Sequence, residues 1–151
     1  LGLGPGRNVP QRDWELERNM ICAVTDAIDQ GLVCACTDIS DGGLAVALAE
    51  MCLGGYANGL LGATIDLGPL GTDLRTDKLL FSESSGFIME ARTGKEQALH
   101  DLFARYHLDL VQIGEVDDHP ELVIATADGE FEWPARELKE AWLGGLPKVL
   151  R

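Results

Sequence analysis

The sequence predicts an α/β (α+β) fold in which helices pack on one mixed sheet of about four to six strands. Three observations predict it. Apolar residues recur at spacings of three and four in several segments, and these segments alternate with short, apolar, β-tolerant runs. Asp128-Gly129 stands between two strand-like runs, a strong signal for a tight hairpin, so the sheet contains an antiparallel pair and is not purely parallel. Finally, 151 residues with 46% hydrophobic and 25% charged side chains make a soluble chain able to bury a core without staples.

Residues 1–13 carry Gly, Pro, Arg and Asn in no period and are expected to form a flexible end or linker. Leu1-Gly2-Leu3-Gly4-Pro5-Gly6 lacks an initiating methionine, as if cut from within a longer chain. Residues 14–145 are expected to form a single domain, followed by a tail over 146–151. Asp13 is placed to cap a helix whose apolar face is Leu16, Met20, Ala23, Val24, Ala27 and Ile28, with Gly31 placed to end it. Residues 32–37 read as a buried strand. A second helix, 42–53, is apolar almost all round, so burial on more than one side is expected before Gly54-Gly55 stops it.

The next run, 59–67, sets Leu61, Ala63, Ile65 and Leu67 on one side of a strand. A turn-rich connector over 68–77 and a serine-rich phrase at 78–85 lead to a strand at 87–91. A helix over 95–106 then carries Ala98, Leu102 and Phe103 on its inner face, with Leu99 and Tyr106 flanking. Strands at 111–116, 122–127 and 130–133 follow. The last helix begins with Pro134 at its first position and ends at Gly144-Gly145.

A formal net charge of -13 and a pI near 4.4 argue against a nucleic-acid partner or an anionic membrane surface. No apolar run is long enough to suggest a membrane span, and the first residues do not read as a signal peptide. Cys22, Cys34, Cys36 and Cys52 form neither a CxxC pair nor a zinc comb, so they read as buried free thiols of a cytoplasmic protein. His100, His107 and His119 are isolated and read as solvated or half-buried. Glu115, Asp117 and Asp118 read as a solvated turn, and Trp14, Trp133 and Trp142 as core or edge aromatics. Hydrolase, zinc-protease and P-loop motifs are absent from the sequence.

Two phrases remain. The first, Thr37-Asp38-Ile39-Ser40-Asp41-Gly42-Gly43-Leu44, joins a strand to a helix. A helix start offers unpaired N–H groups and the positive end of the macrodipole, and glycines let an anion approach the backbone. Asp38 and Asp41 add carboxylates of the kind that hold Mg2+ beside a nucleotide. The plain alternative is an N-cap made by Ser40 or Asp41. The second phrase, Phe81-Ser82-Glu83-Ser84-Ser85-Gly86, packs small hydrogen-bonding groups before a strand. It reads either as a serine-rich turn or as a polar rim facing a substrate or another domain.

Together, Asp38-Ile39-Ser40-Asp41-Gly42-Gly43-Leu44-Ala45-Val46-Ala47-Leu48-Ala49-Glu50-Met51 and Leu79-Leu80-Phe81-Ser82-Glu83-Ser84 resemble the C-terminal domain of the aminoimidazole-ribonucleotide-synthetase-like (PurM-like) superfamily. Within it, the resemblance is closest to the phosphoribosylformylglycinamidine synthase family of purine biosynthesis. The helix at 15–30, the Gly31-Leu32-Val33 lead-in, the strand at 62–67 and Ile113-Gly114-Glu115-Val116 fit the pattern in order, from about 14 to 127.

The resemblance implies an ATP-dependent C–N ligase that joins formylglycinamide ribonucleotide with ammonia, released from glutamine by a glutaminase subunit or domain. Mg2+ and ATP, the latter as co-substrate, come with it. Asp38 is then implied as a metal contact, Ser40, Asp41, Gly42 and Gly43 as a phosphate-facing loop, and Ser82, Glu83 and Ser84 as substrate-side groups; no catalytic residue is assigned. An N-terminal domain of the same polypeptide, supplying much of the ATP site, is implied as a partner, so this domain is expected to be inactive alone. Relatives commonly carry an arginine between the second phrase and the next strand. Here Phe87 follows Gly86 directly and Arg92 comes later, removing an anion contact. Two other readings stay open: a Mg-nucleotide-binding or structural module, and a sibling such as a thiamine-phosphate kinase, selenophosphate synthase or hydrogenase maturation protein.

Overall fold

In the computed structural model, residues 13–54, 59–71 and 73–149 are described, so the flexible end expected over 1–13, apart from Asp13, and the last two tail residues lie outside them. The elements run α1 (Trp14–Asp29), β1 (Val33–Asp38), α2 (Gly43–Leu53), β2 (Gly62–Asp66), a 3-10 turn (Gly68–Leu70), α3 (Thr76–Phe81), β3 (Phe87–Ala91), α4 (Glu96–Arg105), β4 (Gly114–Asp117), β5 (Glu121–Thr126), β6 (Gly129–Pro134) and α5 (Ala135–Val149). The α/β class holds. The chain divides into two compact units, one made of Leu1–Val33 with Ala91–Leu110 and the other of Cys34–Glu90 with Val111–Arg151.

In the first unit, α1 packs on α4. Asp13 caps α1 as expected, its carboxylate accepting the Glu15 and Leu16 N–H groups at 3.0 and 3.1 Å. Gly31 follows the last turn with φ +63, the left-handed position that ends many helices. Ala23, Val24 and Ala27 are buried, but Leu16 and Ile28, expected inside, are 50% and 54% exposed. The covered stripe is narrower than the apolar pattern. On α4 the inner face is Leu99, Leu102 and Phe103, with Ala98 outside. The spacing of 99, 102 and 103 closes an i, i+3, i+4 face that the larger leucine fills better than alanine. The Tyr106 hydroxyl donates to Asp26 Oδ2 at 2.7 Å, and the Arg92 side chain and backbone donate to the Gly31 and Leu32 carbonyls.

The second unit holds a four-stranded mixed sheet in the order β4-β2-β5-β6, while β1 and β3 pair separately. β2 runs parallel to β5 and antiparallel to β4, and the expected hairpin at Asp128-Gly129 joins antiparallel β5 and β6. The strands therefore form two sheets rather than one. The inner face of the larger sheet presents Ala63, Ile65, Leu122 and Ile124 to Leu44, Leu48, Cys52 and Leu80, forming the core. From the pairing register, Thr64, Asp66, Glu115, Glu130 and Glu132 share the opposite face, and all five are exposed. No residue from 42 to 53 is exposed, as expected for a helix apolar all round.

Further differences have local causes. The six residues of α3, read by sequence as the end of the connector and the start of the serine-rich phrase, are too few to show a period and bury only Leu80. β4 begins at Gly114, not at Val111. Pro134 closes β6 instead of opening α5, and α5 runs through Gly144 and Gly145 to Val149. Gly145 does not take a left-handed φ, and glycine ends a helix by adopting that conformation rather than merely by being present. Trp14 and Trp142 are 75% and 60% exposed, whereas Trp133 packs on the core and stacks on Phe131. All four cysteines are free; Cys52 is buried and Cys34 exposed. Burial, then the Asp38 charge, pushes the Cys36 thiol up. Among the described residues no helix is long and apolar enough to cross a membrane.

Candidate functional site

The two phrases meet. The first leaves β1 at Asp38, turns through Ile39–Asp41 and enters α2 through Gly42 and Gly43, both with positive φ (+84 and +68). Side chains rarely adopt that conformation, so two consecutive glycines are what the turn requires. Neither Ser40 nor Asp41 caps α2, which has no side-chain cap from the residues before it. The Gly43 N–H instead donates to the Ser40 carbonyl at 2.9 Å. The Gly42 N–H donates to Glu83 Oε1 at 3.1 Å, across 41 residues of sequence.

The second phrase follows α3. The Ser82 N–H donates to the Lys78 carbonyl at 3.0 Å, and the Ser82 and Ser84 hydroxyls share a hydrogen bond at 3.0 Å. Gly43 lies against the backbone of α3: a Cβ there would sit 2.8 Å from the Leu80 carbonyl oxygen and 2.9 Å from Phe81 Cα. Ile39, partly buried against the core, fixes the other side of the turn, and its N–H donates to the Gly86 carbonyl at 2.9 Å. Ser40, Asp41, Gly42, Gly43, Ser82, Glu83 and Ser84 thus belong to one corner, and their neighbour Asp38 ends the strand that feeds it.

The corner suits an anion and, in part, a cation. α2 directs its first-turn amides out of this turn, and amides at a helix start favour negative charge. The Asp38 and Asp41 carboxylates are exposed and make no hydrogen bond or ion pair with another described residue, although the Asp38 charge acts on the Cys36 thiol. Mg2+ commonly takes one or two carboxylates together with substrate phosphates and water, so the donor type of either aspartate suits it. No three His, Cys, Asp or Glu side chains gather as a complete cation site among the described residues. Asp117, read as part of a solvated turn, in fact secures that turn, accepting the His119 N–H at 2.8 Å and a longer bond from Thr64 Oγ1 at 3.5 Å. His100, His107 and His119 are all exposed. A depression of about 300 Å³ beside Thr64, Ile113 and Glu115 includes no residue of either phrase.

Sequence reasoning missed the reach of Glu83 to Gly42 and the seat of Gly43 on α3. The spacing of the two phrases alone could not supply either contact. Only the Gly-Gly pair signalled the close approach of another backbone.

The chain belongs to the family described as AIR synthase related protein, C-terminal domain, which matches residues 2–126. It is 40% identical over 148 residues to the phosphoribosylformylglycinamidine synthase subunit PurL of Methanothrix thermoacetophila, a match covering 97% of this chain and 18% of that protein. To the same subunit from Deinococcus radiodurans it is 40% identical over 95 residues, covering 60% of this chain and 12% of the relative. The chain therefore spans 18% or less of the length of these relatives. Its fold is similar to that of Thermotoga maritima PurL complexed with AMPPCP, with a TM-score of 0.72, 24% identity and coverage of 88% of this chain and 23% of that one. The same enzyme complexed with FGAR gives a TM-score of 0.66 at 24% identity, covering 81% and 20%.

Proposed function

We propose that the chain acts as a C-terminal domain within a larger, cytoplasmic phosphoribosylformylglycinamidine synthase, completing its nucleotide and ribonucleotide site. The observation that carries this reading is the junction of the two phrases through Gly42 and Glu83, which makes one polar corner of segments 41 residues apart. Kinship with PurL proteins supports the same assignment. Bound MgATP would supply the phosphoryl group that activates the glycinamide oxygen of the ribonucleotide, so that ammonia displaces that oxygen as phosphate while the formyl group is kept. Asp38, with Asp41 beside it, would hold the metal, and the remaining amides of the Ser40–Gly43 turn and α2 would bind phosphate oxygens. Ser82 and Ser84 would offer hydroxyls on the substrate side. The N-terminal domain would complete the ATP site, and a glutaminase would deliver ammonia.

With a net charge of -13, the chain has little cationic surface to lend to phosphates, which makes these local donors and the metal the economical means. Arg92 does not fill the position after Gly86; its Nε donates to the Gly31 carbonyl at 2.9 Å within the first unit. The test is Asp38→Asn in the longer polypeptide that carries this chain. ATP-dependent amidine formation is expected to fall by about tenfold or more, with partial recovery at raised Mg2+. Unaltered turnover would remove Asp38 from the site.

A further inference from the structure

We infer that Glu83 is the positioning residue of this corner, holding the Gly42–Gly43 turn in its ligand-ready shape rather than meeting the substrate; this rests on the function proposed above. Its Oε1 accepts the Gly42 N–H at 3.1 Å. Gly42 and Gly43 sit in a conformation that glycine enters and leaves freely, so the turn needs an external hold. Ser40 and Asp41 do not supply one by capping α2. Glu83 is well placed to do so because the chain before it is tied to α3 and its two serine neighbours are linked to each other. Before it, Ser82 N–H is bonded to Lys78 at the end of α3, and the Ser82 and Ser84 hydroxyls bond to each other around it. Gly43 closes the arrangement by resting on the Leu80 and Phe81 backbone.

Asp38 and Asp41 have no such backbone contact and are the carboxylates proposed for the metal, whereas Glu83 is already engaged with a backbone N–H, a role that needs an acceptor rather than a charge. A neutral amide oxygen also accepts a backbone N–H, in a weaker bond than a carboxylate makes. The inference is therefore tested by separating acceptor from charge. In the longer polypeptide, Glu83→Gln is expected to keep the KM for MgATP within about threefold of the parent. Glu83→Ala loses the acceptor and Glu83→Asp is one methylene too short; each is expected to raise that KM by about tenfold, with a smaller change in kcat. In the 151-residue chain, the Gly42 amide resonance and its protection from solvent exchange should survive in Glu83→Gln and be lost in Glu83→Ala.

Equal impairment of the Gln and Ala variants would overturn the inference in favour of a charged contact with metal or substrate. A Glu83→Ala variant matching the parent in both measurements would overturn it outright. Should the Ala variant fail to fold, the comparison of Gln with Asp decides. Should the parent polypeptide form no amidine at all, the proposed function fails, and the Gly42 exchange measurement alone upholds or overturns the contact.

Discussion

Tyr106 shows how one hydrogen bond in the first unit becomes a pH dependence. Its hydroxyl donates to Asp26 Oδ2 at 2.7 Å. That bond, followed by burial and the neighbouring Asp26 charge, holds the phenol above the ordinary tyrosine range. The fold thus favours the protonated ring. Its contribution is intact below the unfolded value of about 10 and is lost as pH rises from there through the raised folded value. An absorbance titration of phenolate should contain a late component that Tyr106→Phe removes and Asp26→Asn moves back toward the ordinary range. At this scale the legibility of the sequence depended on distance along the chain. Asp13 could be read as a cap because its partners are two and three residues away. The Glu83 bond to Gly42 spans 41 residues, and nothing local encodes it.

Among the elements, α2 and α3 depend on a missing side chain. Gly43 combines φ +68 with a Cβ position 2.8 Å from the Leu80 carbonyl, so Gly43→Ala must both strain its own backbone and push α3 away. Gly31 is the natural control, since its φ is +63 and its Cβ would meet nothing within 4 Å. Gly31→Ala is expected to lower stability by about 1 kcal/mol from strain alone, and Gly43→Ala by about 3 kcal/mol, measured as urea midpoints. A Gly43→Ala midpoint no lower than that of Gly31→Ala would show that α3 yields without cost. The same pair of elements marks where periodicity stopped being informative. α2 could be read because eleven apolar-rich residues repeat, whereas α3 has six residues and one buried side chain. α5 passed its two glycines because helix ends are decided by conformation, which composition only biases.

At the scale of the molecule, the core of the second unit gathers on Leu122 and Ile124, which are 1% and 0% exposed on a strand flanked by β2 and β6. Ile124→Ala is expected to destabilise by about 3–4 kcal/mol, read from equilibrium urea unfolding. A loss below about 1 kcal/mol would mean that the sheet and α2 collapse into the gap. The class of fold and the inward-facing residues Ala63, Ile65 and Leu67 were legible because alternation is a local signal. The division into units was not, because two of its three boundaries, Val33/Cys34 and Glu90/Ala91, fall within strands β1 and β3, and the third, Leu110/Val111, falls in an ordinary loop between α4 and β4.

That division has a consequence for the way the chain is made. Of the elements described, α1 leaves the ribosome before the others, yet α4, on which it packs, is not released until β1, α2, β2, α3 and β3 have all followed. β2 waits longer still, since both of its neighbours, β4 and β5, come after α4. The first unit can therefore close once Leu110 has emerged, while the second stays open until its last strands arrive. Throughout that interval the apolar α2 lacks the β5 surface it will occupy, which makes the half-synthesised chain, rather than the finished one, the form most in need of protection from aggregation.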